Sequence, residues 1–213
     1  MIFQSLRKPF KYSYNNYSFV IIGLNIGVFL LTNMFPRLKY LLSLNTLYVT
    51  QVNAYWQFFT YMFVHGDFYH ILFNMLGIFF FGVAVEKALG SKEFLLLYFI
   101  SGILCGVVSF FVYLFTGYNF IFLMGASGAI YALLLAFAVI FPKSNIYIWG
   151  IIPVPAPILI AIYAGLEISS QLFGIKNGVA HMTHLAGFGV AWLYFIIRMG
   201  INPWKVWKDA YSK

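Results

Sequence analysis

Six long apolar segments that carry almost no charge restrict what this chain can fold into. Most approach the ~20 residues that a helix needs to cross ~30 Å of hydrocarbon. Of the 213 residues, 62% are hydrophobic and only 8% are charged, whereas about a quarter of a soluble domain is charged. The pattern predicts an all-α membrane protein, a six-transmembrane-helix bundle. The segments cover approximately residues 18–35, 68–85, 94–115, 127–141, 153–173 and 181–199.

The same segments predict the domain organisation. The first run is expected to be a retained helix, because it is longer than the apolar core of a signal peptide and lacks a cleavage site. The stretch Pro36–Asp67 is rich in aromatic residues but too interrupted to span, which predicts a long outer-face loop with short interfacial helices between helices 1 and 2. The expected divisions are a cytoplasmic N-terminal segment 1–17, the bundle 18–200 and a cytoplasmic C-terminal tail 201–213.

The distribution of lysine and arginine predicts the orientation. With six alternating spans, ten of the 13 fall on the side of the two termini and three on the other, which predicts cytoplasmic termini. The compactness of the chain and the lack of a targeting sequence or extra helix favour a bacterial inner membrane, with an organelle membrane as the open alternative. The net charge of +8 is therefore attributed to topology. No basic cluster is interleaved with aromatics, so no nucleic-acid partner is expected. The ten are Arg7, Lys8, Lys11, Lys87, Lys92, Lys143, Arg198, Lys205, Lys208 and Lys213; the three are Arg37, Lys39 and Lys176.

The fourth apolar segment is short and begins with a serine. From Ser127 to Phe141 it would form ~22 Å of helix, at 1.5 Å per residue, against ~30 Å of hydrocarbon. With its cytoplasmic end fixed by Pro142, Ser127 would lie below the outer surface, and Gly117–Met124 would enter as non-helical backbone. Such backbone is tolerated only where it is buried or lines a water-filled cavity. The sequence thus predicts a recessed serine beside a cavity.

Ser127 and His184 are the residues with the clearest chemical potential. Ionisable groups at bilayer depth are costly and are functional candidates, and an imidazole can accept a serine proton and return it to a leaving amine. Gly125 and Gly128 permit unusual backbone angles, and free amides of the first helical turn would stabilise an oxyanion. In the alternative interpretation, Ser127 is a helix N-cap and the glycines only pack.

Other residues are predicted to support this pair. His70 and Asn74 share one helix face and can donate hydrogen bonds to an oxyanion, with Asp67 as the N-cap of that helix. Tyr131, one turn after Ser127, could stack on the imidazole or be an ordinary packing aromatic. Small residues in the sixth segment, Gly187 and Gly189, would allow close approach to the serine-bearing helix. His65 is expected to hold the outer loop.

Two questions concern the remaining ionisable residues. The four histidines, His65, His70, His181 and His184, raise a zinc alternative, but no H-E-x-x-H is present, so no metal or other cofactor is expected. No well-placed aspartate is available to orient His184, since Asp67 is the only outer-side candidate, so a Ser–His dyad is expected rather than a triad. Glu167 in the fifth segment has no assigned role; it could hydrogen-bond a neighbour in protonated form.

Four ordered motifs give the chain a family resemblance over about residues 18–200. It resembles the rhomboid intramembrane serine proteases of the basic six-helix bacterial type. Departures are Gln57 where the family often has arginine, Ala191 where its sixth helix often has glycine, and the additional His181. The motifs are Trp56–His65, His70 with Asn74, Gly125-Ala126-Ser127-Gly128, and His184-Leu185-Ala186-Gly187.

The resemblance implies an active site and a substrate class. The fifth helix and the loop Phe173–Val179 would form a gate and cap, and the substrates would be single-span membrane proteins cut near the outer face. The implied roles are nucleophile for Ser127, general base and acid for His184, oxyanion hole for His70, Asn74 and the Ser127 amide, and stacking aromatic for Tyr131.

Two other functions stay open. A catalytically silent relative that binds and escorts membrane clients would be marked by loss of Ser127 or His184, and both are present. A small-solute transporter often has repeated halves with broken helices, and this chain has no such internal symmetry.

Overall fold

The apolar segments form helices in the computed structural model, which describes residues 7–8, 10–148, 150–173 and 181–212. Helix α5 contains a π-helical turn at Ile78–Gly82, and α9 ends in another at Phe195–Met199. The helices are α1 (Tyr17–Met34), α2 (Pro36–Leu42), α3 (Thr46–Val52), α4 (Gln57–Thr60), α5 (Phe68–Leu89), α6 (Ser91–Thr116), α7 (Ser127–Ile140), α8 (Ala156–Leu172), α9 (His181–Met199) and α10 (Pro203–Tyr211).

Four helices in the described part of the chain are long and apolar enough to cross a membrane, namely α1, α5, α6 and α9. Helices α7 and α8 are also apolar but shorter, with 14 and 17 residues. The chain is therefore a helical membrane protein, as predicted. That all six apolar helices cross the bilayer stays a prediction.

A short β-hairpin corrects the predicted start of the fifth helix. Strands β1 (Asn145–Ile148) and β2 (Ile152–Pro155) pair antiparallel between α7 and α8, so the helix begins at Ala156 rather than at residue 153. Pro153 and Pro155 lie in β2; proline favours a strand at a sheet edge because it cannot donate to the ladder. Of the predicted cap, residues 174–179 lie outside the described residues.

Helix α7 occupies the interior of the bundle. It is apolar on all sides and most of its residues are buried, as expected for a helix surrounded by others. A Cβ on Gly187 of α9 would lie 2.3 Å from the Gly128 carbonyl oxygen, and one on Gly128 would lie 2.9 Å from the Cys105 Cβ of α6. Small residues thus permit the close packing of α6, α7 and α9. The prediction for Gly189 was wrong, since a Cβ there would meet open space.

The loop between α1 and α5 contains three short α-helices, α2 to α4, and a 3-10 turn at Tyr61–Phe63; short helices in this loop were predicted. Leu44 exchanges two backbone hydrogen bonds, of 2.9 and 2.8 Å, with Leu123 in the segment before α7. The buried Gln57 amide accepts a hydrogen bond from the Asn45 N–H at 3.1 Å and donates to the Leu41 carbonyl at 3.0 Å. The hydrogen bonds of Gln57 therefore stabilise the loop without the positive charge that rhomboid proteases often have at this position.

Two buried carboxylates connect helices at the end of the bundle away from Ser127. Glu86 accepts hydrogen bonds from the backbone and hydroxyl of Ser18, and from the Ser91 hydroxyl. Glu93 on α6 accepts two hydrogen bonds from the Arg198 guanidinium on α9, at 2.8 and 2.9 Å, and one from the Tyr194 hydroxyl. The charge of Glu93 is paired with Arg198 and that of Glu86 is hydrogen-bonded, as buried ions require, and both residues join separate helices.

Candidate active site

Ser127 is the first residue of α7, and the backbone just before it has unusual dihedral angles. The N-cap position is occupied by Ala126, without a side-chain hydrogen bond, so the interpretation of Ser127 as an N-cap was wrong. Gly125 has φ 113°, and a Cβ there would lie 2.5 Å from the His70 Nε2. Only glycine satisfies both constraints. The Ser127 hydroxyl is consequently free of a capping role, and first-turn amides have no partner within the helix.

His184 lies opposite this serine in the first turn of α9. Its Nε2 is 2.9 Å from the Ser127 Oγ, and the imidazole is buried. The Tyr131 ring stacks on the imidazole, with 4.1 Å between ring centroids and 11° between the planes. The predicted juxtaposition of these three side chains is confirmed. Gly187 on the same helix provides the close approach on which the distance depends.

A carboxylate contacts His184, contrary to the expectation of an isolated pair. The Glu167 Oε1 lies 2.8 Å from His184 Nδ1 and accepts a 2.6 Å hydrogen bond from the Tyr131 hydroxyl. The Oε2 of Glu167 lies 2.5 Å from His181 Nδ1. The sequence indicated Asp67 as the sole outer-side candidate, because nothing in the spacing reveals which face of α8 meets α9. The available signal was an intramembrane carboxylate without a partner.

His70 and Asn74 face the same space from α5. The Gly66 N–H lies 3.3 Å from His70 Nδ1 and donates to it, so the hydrogen of the neutral ring is on Nε2. One hydrogen of the Asn74 amide is donated to the His70 carbonyl at 2.7 Å, which leaves the second available. The Asp67 carboxylate accepts from the His70 N–H at 2.9 Å, so the predicted N-cap is confirmed.

A cavity of about 570 Å³ connects these groups. Ser127, His184, His70 and Asn74 all line it, and its far wall comes from the non-helical segment before α7. The irregular backbone predicted over Gly117–Met124 is confirmed. The serine is half-buried at the cavity wall, and its depth below the membrane surface stays a prediction. The other lining residues are Gly66, Asp67, Tyr69, Phe73, Tyr113, Ile121, Phe122, Leu123 and Met124.

His65 lies next to His70, just before α5 begins. Its ring is buried, with its centroid 5.0 Å from that of His70, and its Nδ1 is 3.3 Å from the Phe63 carbonyl. Burial lowers the pKa of His65 to about 3, so the ring is neutral at physiological pH and fills the loop interior. Within the described ranges, no group of three or more histidine, cysteine, aspartate or glutamate side chains is arranged to hold a metal ion.

The fold and this site define a helical membrane protein in which a serine and a histidine meet beside a cavity. The family model described as "Rhomboid domain" matches residues 52–200, which is more than half of the chain. The chain belongs to the rhomboid family.

Curated relatives from bacteria and a plant are similar to this chain. Rhomboid protease GlpG of Haemophilus influenzae is 31% identical over 149 residues, which cover 68% of this chain and 71% of the relative. The GlpG of an Enterobacter species is 34% identical over 178 residues, or 80% and 59%. The mitochondrial RHOMBOID-like protein 12 of Arabidopsis thaliana is 29% identical over 198 residues, or 81% and 57%. The chain thus spans 57 to 71% of the length of these relatives.

Proposed function

We propose that the protein is an intramembrane serine endopeptidase. Ser127 Oγ attacks the carbonyl carbon of a peptide bond while His184 Nε2 takes the hydroxyl proton and later gives it to the leaving amine. The observation that carries the proposal is the 2.9 Å contact between Ser127 Oγ and His184 Nε2 beside a cavity in a membrane bundle. The printed names of the GlpG relatives, rhomboid proteases, support the same reaction class.

The oxyanion of the tetrahedral intermediate is stabilised by donors on two helices. The Nε2–H of His70, the second amide hydrogen of Asn74 and the backbone N–H of Ser127 supply them. Such preorganised donors act where charge develops, and each is worth about 10²–10³ in kcat. In the second half of the reaction, water from the cavity attacks the acyl-enzyme, and His184 acts as the base again.

The substrates are transmembrane segments of single-span proteins, cut near the outer face. The substrate class follows from the resemblance to rhomboid proteases, and the outer-face position is supported by the lysine and arginine distribution, which favours cytoplasmic termini and a cavity toward the outside. A helix that unwinds easily is the better substrate, because a stable helix engages its carbonyl groups in hydrogen bonds. A silent client-binding relative is disfavoured by the intact Ser127–His184 contact.

The test is cleavage of a single-span substrate reconstituted with the protein in liposomes. We expect Ser127→Ala and His184→Ala to fold and to lose cleavage, and the chelator EDTA to have no effect. Ser101→Ala is the matched control, since Ser101 is buried in α6 and does not line the cavity. Cleavage that survives Ser127→Ala, or that EDTA abolishes, would refute the serine mechanism and favour a metal.

A further inference from the structure

The geometry points to Glu167 as a positioning residue that completes a Ser127–His184–Glu167 triad, fixing the tautomer of His184 and stabilising its protonated form. The inference rests on the proposed protease function and deepens it. Sequence reasoning expected a dyad and assigned Glu167 no role. The carboxylate comes from α8, the serine from α7 and the histidine from α9, so three helices must pack correctly to assemble the site.

The first step of the argument is the direction of the hydrogen bonds. Glu167 Oε1 lies 2.8 Å from His184 Nδ1, and a carboxylate oxygen accepts, so the imidazole hydrogen is on Nδ1. The lone pair of a neutral ring is then on Nε2, which is the atom 2.9 Å from Ser127 Oγ. Glu167 therefore selects the one tautomer in which His184 can act as a base toward Ser127.

The second step is the charge of Glu167. Its side chain is buried, and three donors converge on it: His184 Nδ1–H and the Tyr131 hydroxyl at Oε1, and His181 Nδ1–H at Oε2. An ionised carboxylate is an acceptor at both oxygens and satisfies all three. The hydrogen bonding expected of Glu167 is present, and its ionised form stays a prediction. Burial without such donors would be costly for the ion.

The third step concerns the transition state. When His184 takes the Ser127 proton, a neutral ring becomes a cation 2.8 Å from the Glu167 carboxylate, in an environment largely closed to solvent. The attraction is stronger for the protonated ring than for the neutral one. Only interactions that strengthen in the transition state raise kcat, and this one does.

His181 and Tyr131 hold the carboxylate in place. His181 engages Oε2 and leaves Oε1 for His184, while Tyr131 both donates to Oε1 and stacks on the imidazole. The ring and the carboxylate are thereby fixed relative to each other. The additional histidine, which the minimal family motif does not need, acquires a role through Glu167.

The experiment compares Glu167→Gln with the unsubstituted protein by kcat, KM and the pH dependence of cleavage in liposomes. The amide keeps the shape of the carboxylate and loses its charge, so we expect kcat to fall on the order of 10²–10⁴-fold with KM changed less than about threefold. The matched control is Glu93→Gln, another buried carboxylate with a tyrosine partner, for which kcat per folded molecule should be unchanged.

The pH profile separates positioning from a purely structural role. The groups facing His184 are Tyr131 from α7, Glu167 from α8, His181 on its own helix and His70 from α5. Loss of the carboxylate removes the charge that stabilises the imidazolium, so the acid limb of the cleavage profile in Glu167→Gln should move to lower pH. An unchanged kcat, or an unchanged acid limb with a raised KM, would overturn the inference.

A second variant keeps the test decisive if Glu167→Gln does not fold. His181→Ala removes the Oε2 partner only, and we expect a several-fold loss of kcat at unchanged KM; unchanged kcat would overturn the inference. If the unsubstituted protein cleaves and both variants cleave equally well, only the role of Glu167 is contradicted. No cleavage by the unsubstituted protein contradicts the proposed function itself.

Discussion

Helix α9 contacts two buried glutamates of other helices, one near each of its ends, in similar surroundings. The two differ in the basic partner, His184 or Arg198, and in His181, which contacts Glu167 only. His184 near its start and Arg198 near its end are 14 residues apart, or ~21 Å of helix. Each faces a glutamate from another helix, and each glutamate also accepts from a tyrosine. Arginine is always charged, so the Glu93 pair has one state. Histidine can gain or lose a proton, so the Glu167 pair has two charge states.

His184 differs from Arg198 in having a second ring nitrogen that contacts another functional side chain. His184 places Nε2 on Ser127, whereas both contacts of Arg198 with Glu93 are hydrogen bonds of one fixed ion pair. The comparison teaches that a buried carboxylate in this bundle is not by itself a site. Its partner decides whether it only joins helices or also takes part in proton transfer.

The largest expected effect on stability is at the Arg198 end. Arg198→Met would leave the Glu93 carboxylate buried without its cation, and breaking such a pair costs about 3–5 kcal/mol. We expect a large drop in thermal unfolding temperature in detergent, with kcat per folded molecule unchanged. A fall in kcat without loss of stability would contradict the claim that the Arg198–Glu93 pair only stabilises the fold.

The packing of α9 on α7 should affect the rate more than the stability. Gly187→Ala would put a Cβ 2.3 Å from the Gly128 carbonyl oxygen, so α9 must move and lengthen the Ser127–His184 contact. A displacement of ~1 Å can cost about 10²-fold in rate, and we expect that loss in kcat. Gly189→Ala is the control, because its Cβ meets open space. Equal activity of the two variants would contradict this account.

The smallest effects come from a matched pair of tyrosines. Tyr131→Phe keeps the ring that stacks on His184 and removes one donor to Glu167, so we expect a few-fold loss of kcat. Tyr194→Phe removes the corresponding donor to Glu93 and should cost about 1 kcal/mol of stability, a typical single hydrogen bond, with no change in kcat. Urea or thermal unfolding alongside the cleavage assay checks both. A loss of kcat in Tyr194→Phe, with only a loss of stability in Tyr131→Phe, would contradict the roles given to the two glutamates.

Much of the fold and site follows from local sequence patterns. Apolar length predicted the helices, the shortness of α7 and the irregular backbone before it predicted a cavity beside Ser127, and i,i+4 spacing put His70 and Asn74 on one face. Each of these depends on residues close in sequence or on the thickness of a bilayer. The same local logic identified Asp67 as an N-cap.

What sequence reasoning missed depends on contacts between distant elements. Glu167 meets His184 because one face of α8 packs on α9, and no spacing specifies that rotation. Gln57 was identified only as a departure from the arginine that the family often has, and its hydrogen bonds to backbone groups of Asn45 and Leu41 could not be predicted. The β2 strand was read as the start of a helix, because its apolar residues continue the run without a break.

The most direct test of the central claim is to map where a fluorophosphonate probe reacts, and whether that reaction needs His184. We predict a single adduct at Ser127, found by peptide mass spectrometry in the unsubstituted protein and in Ser101→Ala, and lost in His184→Ala. An adduct at another residue, or labelling of Ser127 at full rate without His184, would contradict the account.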